Sequence, residues 1–329
     1  MAKIRNNRAI TIKVYHGYGH QDNLIVYGHI LQGNPTIRKR YTTNAFKNII
    51  YLAKLFFIET VPDIKVQLQW NDQLIYSKTG ANGFFKFEWQ STQTIAAGWH
   101  ELHVNAIDEQ CQILAIGLGK IFIPNATQYG FISDIDDTVL VSHSATTGKK
   151  LKTLFTKNPR SRKTFADVVK FYHLLAFAHT EQLVPNPFFY VSNSEWNLYD
   201  DLNEFFKYNE LPKGAFMLSS IKKWYQLLQS GKSKRFGKLI KVVRIVEAFP
   251  RQRFILLGDN SQSDTETYVA VANKYPNKIV AIYIRNISPK KALATDILLG
   301  SINNKAITTC HFKHTDQAIA HATLNGLID

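Results

Sequence analysis

The segment DIDDT at residues 134–138 places three carboxylates within four residues, directly after the apolar run FIS. In an extended chain the side chains of Asp134 and Asp136 point to the same side. Two carboxylates about 4 Å apart repel each other by roughly 4 kcal/mol at an effective dielectric constant of about 20. A fold holds such a pair with a cation or by protonating one member. Oxygen ligands without a nearby histidine or cysteine favour Mg²⁺, whereas a solvated acidic turn is the alternative interpretation.

A second acidic pair follows another apolar run, in the segment GDNSQSD. Gly258 permits a sharp turn after FILL, so Asp259 lies at the carboxyl end of that predicted strand, where a buried carboxylate needs a partner. Asp264 follows five residues later, and both carboxylates could complete a metal site with DIDDT. The alternative for Asp264 is a helix start, because Ser263 and Glu266 have capping-box spacing and Asp264 would complement the helix dipole.

A serine and a group of lysines supply side chains that could bind a phosphoryl group. Ser192, in YVSNSEW, follows a third apolar run just before a predicted helix. Its hydroxyl and the N–H groups of Asn193 and Ser194 could cradle a phosphate, or Ser192 could cap the helix. Spacing alone does not choose among the lysines of KSKRFGKLIKVVRIVEAFP, which are Lys232, Lys234, Lys238 and Lys241.

The scaffold for these groups begins near residue 129, where apolar runs alternate with helical patterns. The runs are FISDIDD, FFYVSNS, FILLGD and IVAIYIRN, and each ends in a polar residue. Continuous apolar strands alternating with helices predict an α/β fold with a parallel sheet covered on both faces. Ligands bind beyond the carboxyl ends of such strands. One site is therefore predicted to contain the polar strand-end residues Asp134, Asp136, Ser192, Asp259 and Arg285.

The chain before residue 129 has a different pattern. Short β-rich runs separated by Gly, Asn and Asp predict a β-sandwich, with a hairpin turn at Asn71-Asp72. We therefore predict a β-rich, sandwich-like domain over residues 1–128 and a second domain, which carries the site, over residues 129–329.

A helical pattern interrupts the β-rich part after Arg38-Lys39-Arg40. Its apolar residues are Phe46, Ile49, Ile50, Ala53, Phe56 and Phe57. A helix with an apolar stripe and basic flanks could lie on an anionic membrane. Packing of the helix on the sandwich, with its charges in water, is the favoured interpretation.

Composition limits the class of protein. The 329 residues suit two compact domains, and 45% hydrophobic with 20% charged residues excludes a mainly disordered or fibrous chain. No apolar run is long enough for a spanning helix, and the N-terminus lacks the apolar core of a secretory signal. Cys111 and Cys310 form neither a disulfide framework nor a metal knuckle. We expect an intracellular, cytoplasmic protein, soluble or peripheral on membranes.

The net charge indicates a polyanionic partner. Lysine and arginine number 40 against 25 acidic residues, which gives +15 and favours nucleic acid, anionic lipid headgroups or phosphorylated substrates. The excess could equally be a solvated surface. Nucleic acid is not expected, because no zinc knuckle, RNP-like motif or helix-turn-helix stands out.

Taken in order, DIDDT, Ser192, Lys238 and GDNSQSD resemble the motifs of haloacid-dehalogenase-like phosphatases. A closer similarity, strongest from residue 130 to 287, is to the catalytic domain of the actin-patch-protein type of Mg²⁺-dependent phosphatidate phosphatase. It is carried by FISDIDDTVLVS, FFYVSNSEWNLYDDLNEFF, KLIKVVRIVEAFPRQRFILLGDNSQSD and AIYIRN. Lys238 is selected by this resemblance, from its position before Phe249-Pro250. The sequence departs from the family at Gly237, Asn260-Ser261 and Thr265, where the family often has His, Ser-Gly and Pro.

The resemblance implies a Rossmannoid parallel sheet and an aspartyl-phosphate mechanism. Asp134 would attack phosphorus, and Asp136 would protonate the leaving oxygen and then deprotonate the hydrolytic water. Thr138 would orient Asp136 or the backbone near it. The Mg²⁺ ligands would be Asp134, the Asp136 carbonyl, Asp259 and Asp264, the last directly or through an intervening group. The phosphoryl oxygens would be bound by Ser192, Asn193 and Lys238.

The substrate implied by the resemblance is phosphatidate, hydrolysed at a membrane surface to diacylglycerol and phosphate. The loop TGKKLKTLFTKNPRSRKTF could dock an anionic bilayer through its basic residues, which are Lys149, Lys150, Lys152, Lys157, Arg160, Arg162 and Lys163. Another phosphate ester, a soluble metabolite or a phosphoprotein, is an alternative substrate. A non-catalytic anionic-phospholipid-binding module is a second alternative, disfavoured because Asp134, Asp136 and Asp259 are intact.

Overall fold

The computed structural model describes residues 9–33, 41–125, 129–141, 157–180, 184–221 and 233–329, with the side chains of 233–235 left out. Arg38-Lys39-Arg40, Lys232 and most of the predicted basic loop lie outside the described residues, as does the side chain of Lys234. By backbone proximity the chain divides into two units. Among the described residues, the first unit contains 9–33 and 53–125, and the second contains 41–52 and nearly all residues from 129 onward.

The first unit is built on one eight-stranded sheet. Its strands are β1 Ile10–Val14, β2 Gly17–His20, β3 Asn23–Gln32, β4 Lys65–Trp70, β5 Gln73–Lys78, β6 Phe84–Trp89, β7 Gly98–Ile107 and β8 Ile113–Ile123. The order is β1-β3-β2-β8-β7-β4-β5, and β6 also pairs with β3. The strands pair antiparallel except for β2 with β8. The predicted hairpin is confirmed, because Trp70 pairs with Gln73 across Asn71-Asp72.

Alternation of apolar and polar residues places the core of this unit. In β4 the side chains of Val66, Leu68 and Trp70 are buried, whereas the intervening Gln67 and Gln69 are not, as expected for a strand with one covered face. Apolar residues of β3, β6 and β7 join them in one buried cluster. The β-rich character predicted for this part of the chain is confirmed.

The second unit contains a six-stranded parallel sheet, which confirms the predicted α/β class. Its strands are β9 Tyr129–Asp134, β10 Phe188–Glu195, β11 Ala215–Ser219, β12 Arg253–Asp259, β13 Ile279–Arg285 and β14 Thr308–Phe312. Their order is β11-β10-β9-β12-β13-β14. The sequence predicted β9, β10, β12 and β13 but not β11 and β14, which have only five residues each.

The strand order reverses at the centre of this sheet. The chain runs outward from β9 through β10 to β11, and then returns to the other side of β9 with β12. Connections to the left and right of such a point leave a crevice at the carboxyl ends of the two central strands, where α/β proteins bind ligands. The ends of β9 and β12 carry Asp134 and Asp259.

The α-helices in the described residues are α1 Ala45–Phe56, α2 Val168–Phe177, α3 Tyr199–Tyr208, α4 Ser233–Ala248, α5 Asp264–Lys274, α6 Ala292–Gly300 and α7 Thr315–Leu324. In α4 the buried residues Lys238, Val242, Ile245 and Val246 recur at helical spacing. This face of α4 packs against β10, which turns Lys238 toward the carboxyl end of the sheet rather than toward solvent.

Helix α1 is covered on a different face from the predicted one. Asn44 caps its start by accepting the N–H of Lys47. The buried residues of the helix are Asn48, Leu52, Leu55 and Phe56. Of the predicted apolar stripe, Phe56 is buried, whereas Phe46, Ile49, Ile50 and Phe57 are exposed. The helix therefore has two apolar faces, and the structure covers only one of them.

Candidate active site

Three buried carboxylates meet at the point where the strand order reverses. Asp134 ends β9, Asp259 ends the adjacent β12, and Asp264 begins α5. One carboxylate oxygen from each lies within 4.8 Å of the others, and all three residues are 1% exposed or less. The structure thus brings together side chains that are up to 130 positions apart in the sequence, within the range over which one metal ion could be shared.

Lys238 supplies the counter-charge. Its Nζ donates to Asp134 Oδ1 at 2.6 Å and also to Asp264 Oδ1, and its side chain is fully buried. Burial lowers the pKa of this lysine, but the charges of Asp134 and Asp264 outweigh that effect and hold the pKa above its ordinary value. Lys238 therefore stays protonated and links the end of β9 to the start of α5.

The cluster holds more negative than positive charge. Burial raises the pKa of Asp134 well above its ordinary value, and the nearby carboxylates add to the rise against the effect of Lys238. Burial and the charge of Asp264 raise the pKa of Asp259 to about 7. One ammonium does not balance three carboxylates, so at neutral pH the site favours either an extra proton or a cation. An all-oxygen donor set of this kind suits a hard divalent ion.

Gly258 allows Asp264 to reach the cluster. A Cβ on Gly258 would lie 2.8 Å from both Cβ and Oδ2 of Asp264, closer than packed atoms tolerate. Asp264 Oδ2 also accepts the backbone N–H of Asp259 at 3.3 Å. A role for Asp264 in starting the helix does not explain these contacts. Ser263 makes no side-chain cap hydrogen bond, and the Asp264 carboxylate pairs with Lys238.

The Thr138 hydroxyl lies between two members of the cluster. It is 3.3 Å from Asp134 Oδ2 and 3.4 Å from Asp259 Oδ2. The turn that returns Thr138 to the site is tight, and Asp137 within it has a positive φ of 60°, a backbone region that aspartate tolerates better than most residues. Thr138 therefore contacts the two strand-end carboxylates directly.

Asp136 lies apart from the three-carboxylate cluster and is held by two serines of β10. Ser192 Oγ and Ser194 Oγ each donate to Asp136 Oδ2 at 3.2 Å. The Ser194 N–H in turn donates to Ser192 Oγ at 2.9 Å. Asn193 lies between them and is half-buried. Ser192 does not cap a helix, because β10 continues to Glu195 and a 3-10 turn, Trp196–Leu198, precedes α3 at Tyr199.

Comparisons with known proteins bear on this same part of the chain. Residues 129–286 match the family described as "Phosphatidate phosphatase APP1, catalytic domain". The segment belongs to that catalytic-domain family. All the carboxylates, serines and lysines described above lie inside it. The resemblance predicted from the motifs is confirmed.

Two relatives show how far the similarity extends. The protein "Phosphatidate phosphatase APP1" of Saccharomyces cerevisiae is 31% identical over 160 residues, which is 47% of this chain and 25% of that protein. An uncharacterized protein of Schizosaccharomyces pombe is 24% identical over 178 residues, 54% of this chain and 28% of that protein. The chain thus spans about a quarter of the length of these curated relatives.

Several solved structures align with nearly the whole chain, all at low similarity. A carbohydrate acetylesterase from Xanthomonas citri covers 94% of this chain and 71% of its own, at 9% identity and a TM-score of 0.37. A score this low establishes no shared fold.

The family domain contains three site-proximal residues whose roles the sequence did not predict. Besides Ser194, these are Asn260 and Arg285. Asn260 binds the loop after β13: its Nδ2 donates to Asn286 Oδ1 and the Ser288 carbonyl, and its Oδ1 accepts the N–H groups of Ile287 and Ser288. In the sequence, only the polar character of the residue after Gly258-Asp259 could have indicated this role of Asn260. Asn260 therefore fixes the neighbouring loop.

Arg285 ends β13 and is buried. Its guanidinium lies between the rings of Phe165 and Phe312 at 4.4 and 4.8 Å. It donates to the Thr138 carbonyl at 3.3 Å and to Thr315 Oγ1 at 3.2 Å. Arg285 therefore supports the turn that carries Thr138.

A second lysine of the family domain, Lys241, borders the site. Its Nζ donates to the Ser192 carbonyl at 2.7 Å and to Ser219 Oγ at 3.0 Å. Burial, with the charge of Lys238, lowers its pKa from 10.5 to about 7. Lys241 thus anchors the backbone at Ser192. Its buried position disfavours the charged form of its ammonium group.

Lys241→Met should change how stability depends on pH. Between about pH 7 and the ordinary lysine pKa, the unfolded chain binds a proton that folded Lys241 does not, so the wild-type protein gains stability as pH rises. The variant lacks this gain, and its stability relative to wild type should fall by about 2 kcal/mol between about pH 7 and about pH 9. Urea denaturation at both values measures the difference. Lys170→Met, at an exposed lysine of α2, should show no such trend, and a parallel response of both variants would contradict the assignment.

Proposed function

We propose that this chain is a Mg²⁺-dependent phosphatidate phosphatase, which hydrolyses phosphatidate to diacylglycerol and phosphate through an aspartyl-phosphate. The observation that carries the proposal is the buried cluster of Asp134, Asp259 and Asp264 around Lys238, at the strand reversal and inside the matched catalytic domain. The yeast relative is named as a phosphatidate phosphatase, which supports this substrate over other phosphate esters.

The proposal includes the organisation of the chain. We infer a haloacid-dehalogenase-like catalytic domain over residues 129–329 and a sandwich-like domain over residues 1–128. The parallel sheet with its central strand reversal supports the first inference. The buried cluster supports the second, because apolar residues of the neighbouring strands β3 and β6 share it with those of the neighbouring strands β4 and β7.

Asp134 is assigned as the nucleophile. Its carboxylate oxygen attacks the phosphorus, a P–O bond to Asp134 forms, and the bond to the diacylglycerol oxygen breaks. Lys238 holds one carboxylate oxygen, at 2.6 Å, and the Thr138 hydroxyl lies 3.3 Å from the other. These contacts fix the orientation of the attacking group before substrate arrives.

Asp136 is assigned as the general acid and base. It gives a proton to the departing oxygen and then takes one from the water that hydrolyses the aspartyl-phosphate. Ser192 and Ser194 hold its Oδ2, and these contacts orient its carboxyl group. Together with Lys238, Ser192 and Asn193 are proposed to bind phosphoryl oxygens once substrate enters.

The donor set fits a divalent cation. Asp134, Asp259 and Asp264 would hold Mg²⁺, with the Asp136 carbonyl as a further oxygen ligand. Bound there, the ion would supply positive charge that offsets repulsion between the nucleophile and the phosphate. Burial, together with the neighbouring carboxylates, raises the pKa values of Asp134 and Asp259, and a bound cation would offset both effects, which supports this assignment.

The substrate lies in a membrane, so the enzyme must work at a lipid surface. Within the described residues, no helix combines the length and hydropathy needed to cross a bilayer. We therefore propose peripheral binding to anionic phospholipid, with the formal net charge of +15 contributing attraction.

The decisive experiment measures phosphate release from mixed micelles of phosphatidate, lysophosphatidate or diacylglycerol pyrophosphate, with Mg²⁺ and with chelator. Preferential Mg²⁺-dependent release from phosphatidate is expected. Turnover confined to soluble esters such as p-nitrophenyl phosphate would favour a metabolite or phosphoprotein phosphatase. Lipid binding without any turnover would indicate a non-catalytic module.

Mg²⁺ should also raise the thermal stability of the protein. An ion that binds only the folded state adds about 2.7 kcal/mol at 100 times its dissociation constant. Asp259→Asn should lose this stabilisation, because it removes a carboxylate from the cluster, whereas Asp137→Asn in the adjacent turn should keep it. Thermal unfolding at increasing Mg²⁺ measures the effect, and an unchanged Mg²⁺ response of Asp259→Asn would contradict the proposed ligand set.

A further inference from the structure

Helix α1 presents an apolar surface that nothing in the described chain covers. Phe46 is 71% exposed, and Ile49 and Ile50 are 39% and 41% exposed. Residues at these spacings lie on one side of a helix. Buried Asn48 and Leu52 mark the opposite, packed side. Phe46, Ile49 and Ile50 are called the α1 stripe below.

The charged residues of α1 have one sign. Lys47 and Lys54 are exposed, and at 100° per residue both fall on the same border of the stripe. The helix sequence AFKNIIYLAKLF contains no acidic residue. Lysines beside an apolar face can extend their ammonium groups to phosphate while their stems cover hydrocarbon. An apolar stripe bordered by lysines complements an anionic bilayer, whose phosphates attract the ammonium groups. The same lysines would repel another positively charged protein surface.

The start of α1 is attached to the unit that carries the site. Asn158 Nδ2 donates to the Thr42 carbonyl at 2.7 Å. The Arg160 guanidinium lies 4.0 Å from the centre of the Tyr41 ring and pairs with Glu204 of α3 at 2.6 Å. These contacts connect the stripe to the helix that follows the Ser192 strand. A lipid surface bound by the stripe would therefore be held to the catalytic unit.

We propose that the α1 stripe is a docking surface for anionic phospholipid bilayers. Phe46, Ile49 and Ile50 enter the interfacial region of the bilayer, and Lys47 and Lys54 contact the headgroups. This inference deepens the proposed function, since it assigns the surface that brings the phosphatase to its lipid substrate. The sheet face of β8, which exposes Ile116 and Leu118, lacks this arrangement of a lysine-bordered helix and provides a matched control.

The test separates docking from catalysis. Flotation is measured with vesicles of phosphatidylcholine alone and with added phosphatidylserine, both without phosphatidate. Wild type should float with the anionic vesicles, and the triple variant Phe46→Ser, Ile49→Ser, Ile50→Ser should bind them at least about tenfold more weakly. Ile116→Ser with Leu118→Ser, an equivalent loss of exposed apolar surface, should bind like wild type.

A charge variant tests the second part of the surface. Lys47→Glu should weaken binding to the anionic vesicles severalfold without changing the low binding to phosphatidylcholine. Added salt should weaken wild-type binding, because headgroup attraction is screened. Lys47→Glu should be less sensitive to salt than wild type.

The outcomes distinguish this inference from the proposed function. Hydrolysis of p-nitrophenyl phosphate without vesicles should be equal in wild type and the triple variant, whereas phosphatidate hydrolysis in vesicles should fall with binding. Wild-type flotation of the triple variant, with phosphatidate hydrolysis intact, would overturn the docking surface and leave the function standing. Stripe-dependent flotation without any phosphatase activity would support the docking surface and overturn the proposed function. A wild-type dimer that the triple variant converts to a monomer, with flotation unchanged, would assign the stripe to a second copy and also overturn the proposal.

Discussion

Asp134→Asn should lower kcat for phosphate release by at least about 10³-fold. An amide at this position cannot form the aspartyl-phosphate, although it preserves the size of the side chain and its position at the end of β9. Lys238 would still pair with Asp264, so the variant should fold. Steady-state hydrolysis of both phosphatidate and p-nitrophenyl phosphate measures the loss, and Mg²⁺-dependent thermal stabilisation should be weakened but retained.

Asp137→Asn is the matched control for this prediction. It makes the same chemical change three residues away, at a positive φ that asparagine also tolerates. Its activity should stay within about tenfold of wild type, equivalent to about 1.4 kcal/mol. Near wild-type turnover by Asp134→Asn, or equal losses in the two variants, would refute the assigned nucleophile.

Lys238→Met should be the most destabilising single substitution in the site. It leaves Asp134 and Asp264 buried without their ammonium partner, and removing one member of a buried ion pair costs about 3 to 5 kcal/mol. For a domain of this size we expect the melting temperature to fall by about 10 °C. Activity should be lost as well, because the attacking carboxylate loses the contact that orients it. Thermal unfolding and phosphate release measure the two effects.

Two comparisons isolate the cause. Arg244→Met, at an exposed position of the same helix α4, should change stability by no more than about 0.5 kcal/mol. Adding Asp264→Asn to Lys238→Met should recover part of the lost stability, because one uncompensated carboxylate is removed. If Lys238→Met melts like wild type, the buried ion pairs do not hold the site together.

The sequence predicted the parts of the fold that depend on continuous apolar runs. β9, β10, β12 and β13 are largely buried, so each contains several consecutive apolar residues that are recognisable in the sequence. β14 reads TTCHF, and its side chains alternate between partly exposed and buried. β11 is short as well. Edge strands of this kind are specified by their pairing with neighbours rather than by their own composition, which a local pattern does not contain.

In the site, too, the sequence located some residues, whereas the positions of others depend on packing. Strand ends could be located from the sequence, and this placed Asp134 and Asp259 in one region. The choice of Lys238 among four lysines needed the family resemblance, because only the packing of α4 determines which lysine is turned inward. Ser194 and Arg285 acquire their partners from distant segments, so their own neighbours in the sequence did not indicate which groups they contact.

Helix α1 shows a further limit. Its sequence has apolar residues at two sets of helical spacings, one led by Phe46 and the other by Leu52. Periodicity reports that each face is apolar but not which face the rest of the protein covers. The structure resolves this by burying Leu52 and exposing Phe46, and this outcome is what makes a docking surface available.

The position of Lys238 also has a consequence for ion selectivity. Its ammonium already binds oxygens of Asp134 and Asp264, so two of the carboxylates proposed as metal ligands are held together by the polypeptide itself. A cation entering the cluster must compete with the Lys238 ammonium for these carboxylate oxygens. Sodium or potassium would add only a single charge to a cluster that already contains one, whereas a doubly charged ion neutralises what remains. Lys238 is therefore expected to make the proposed site favour divalent over monovalent cations.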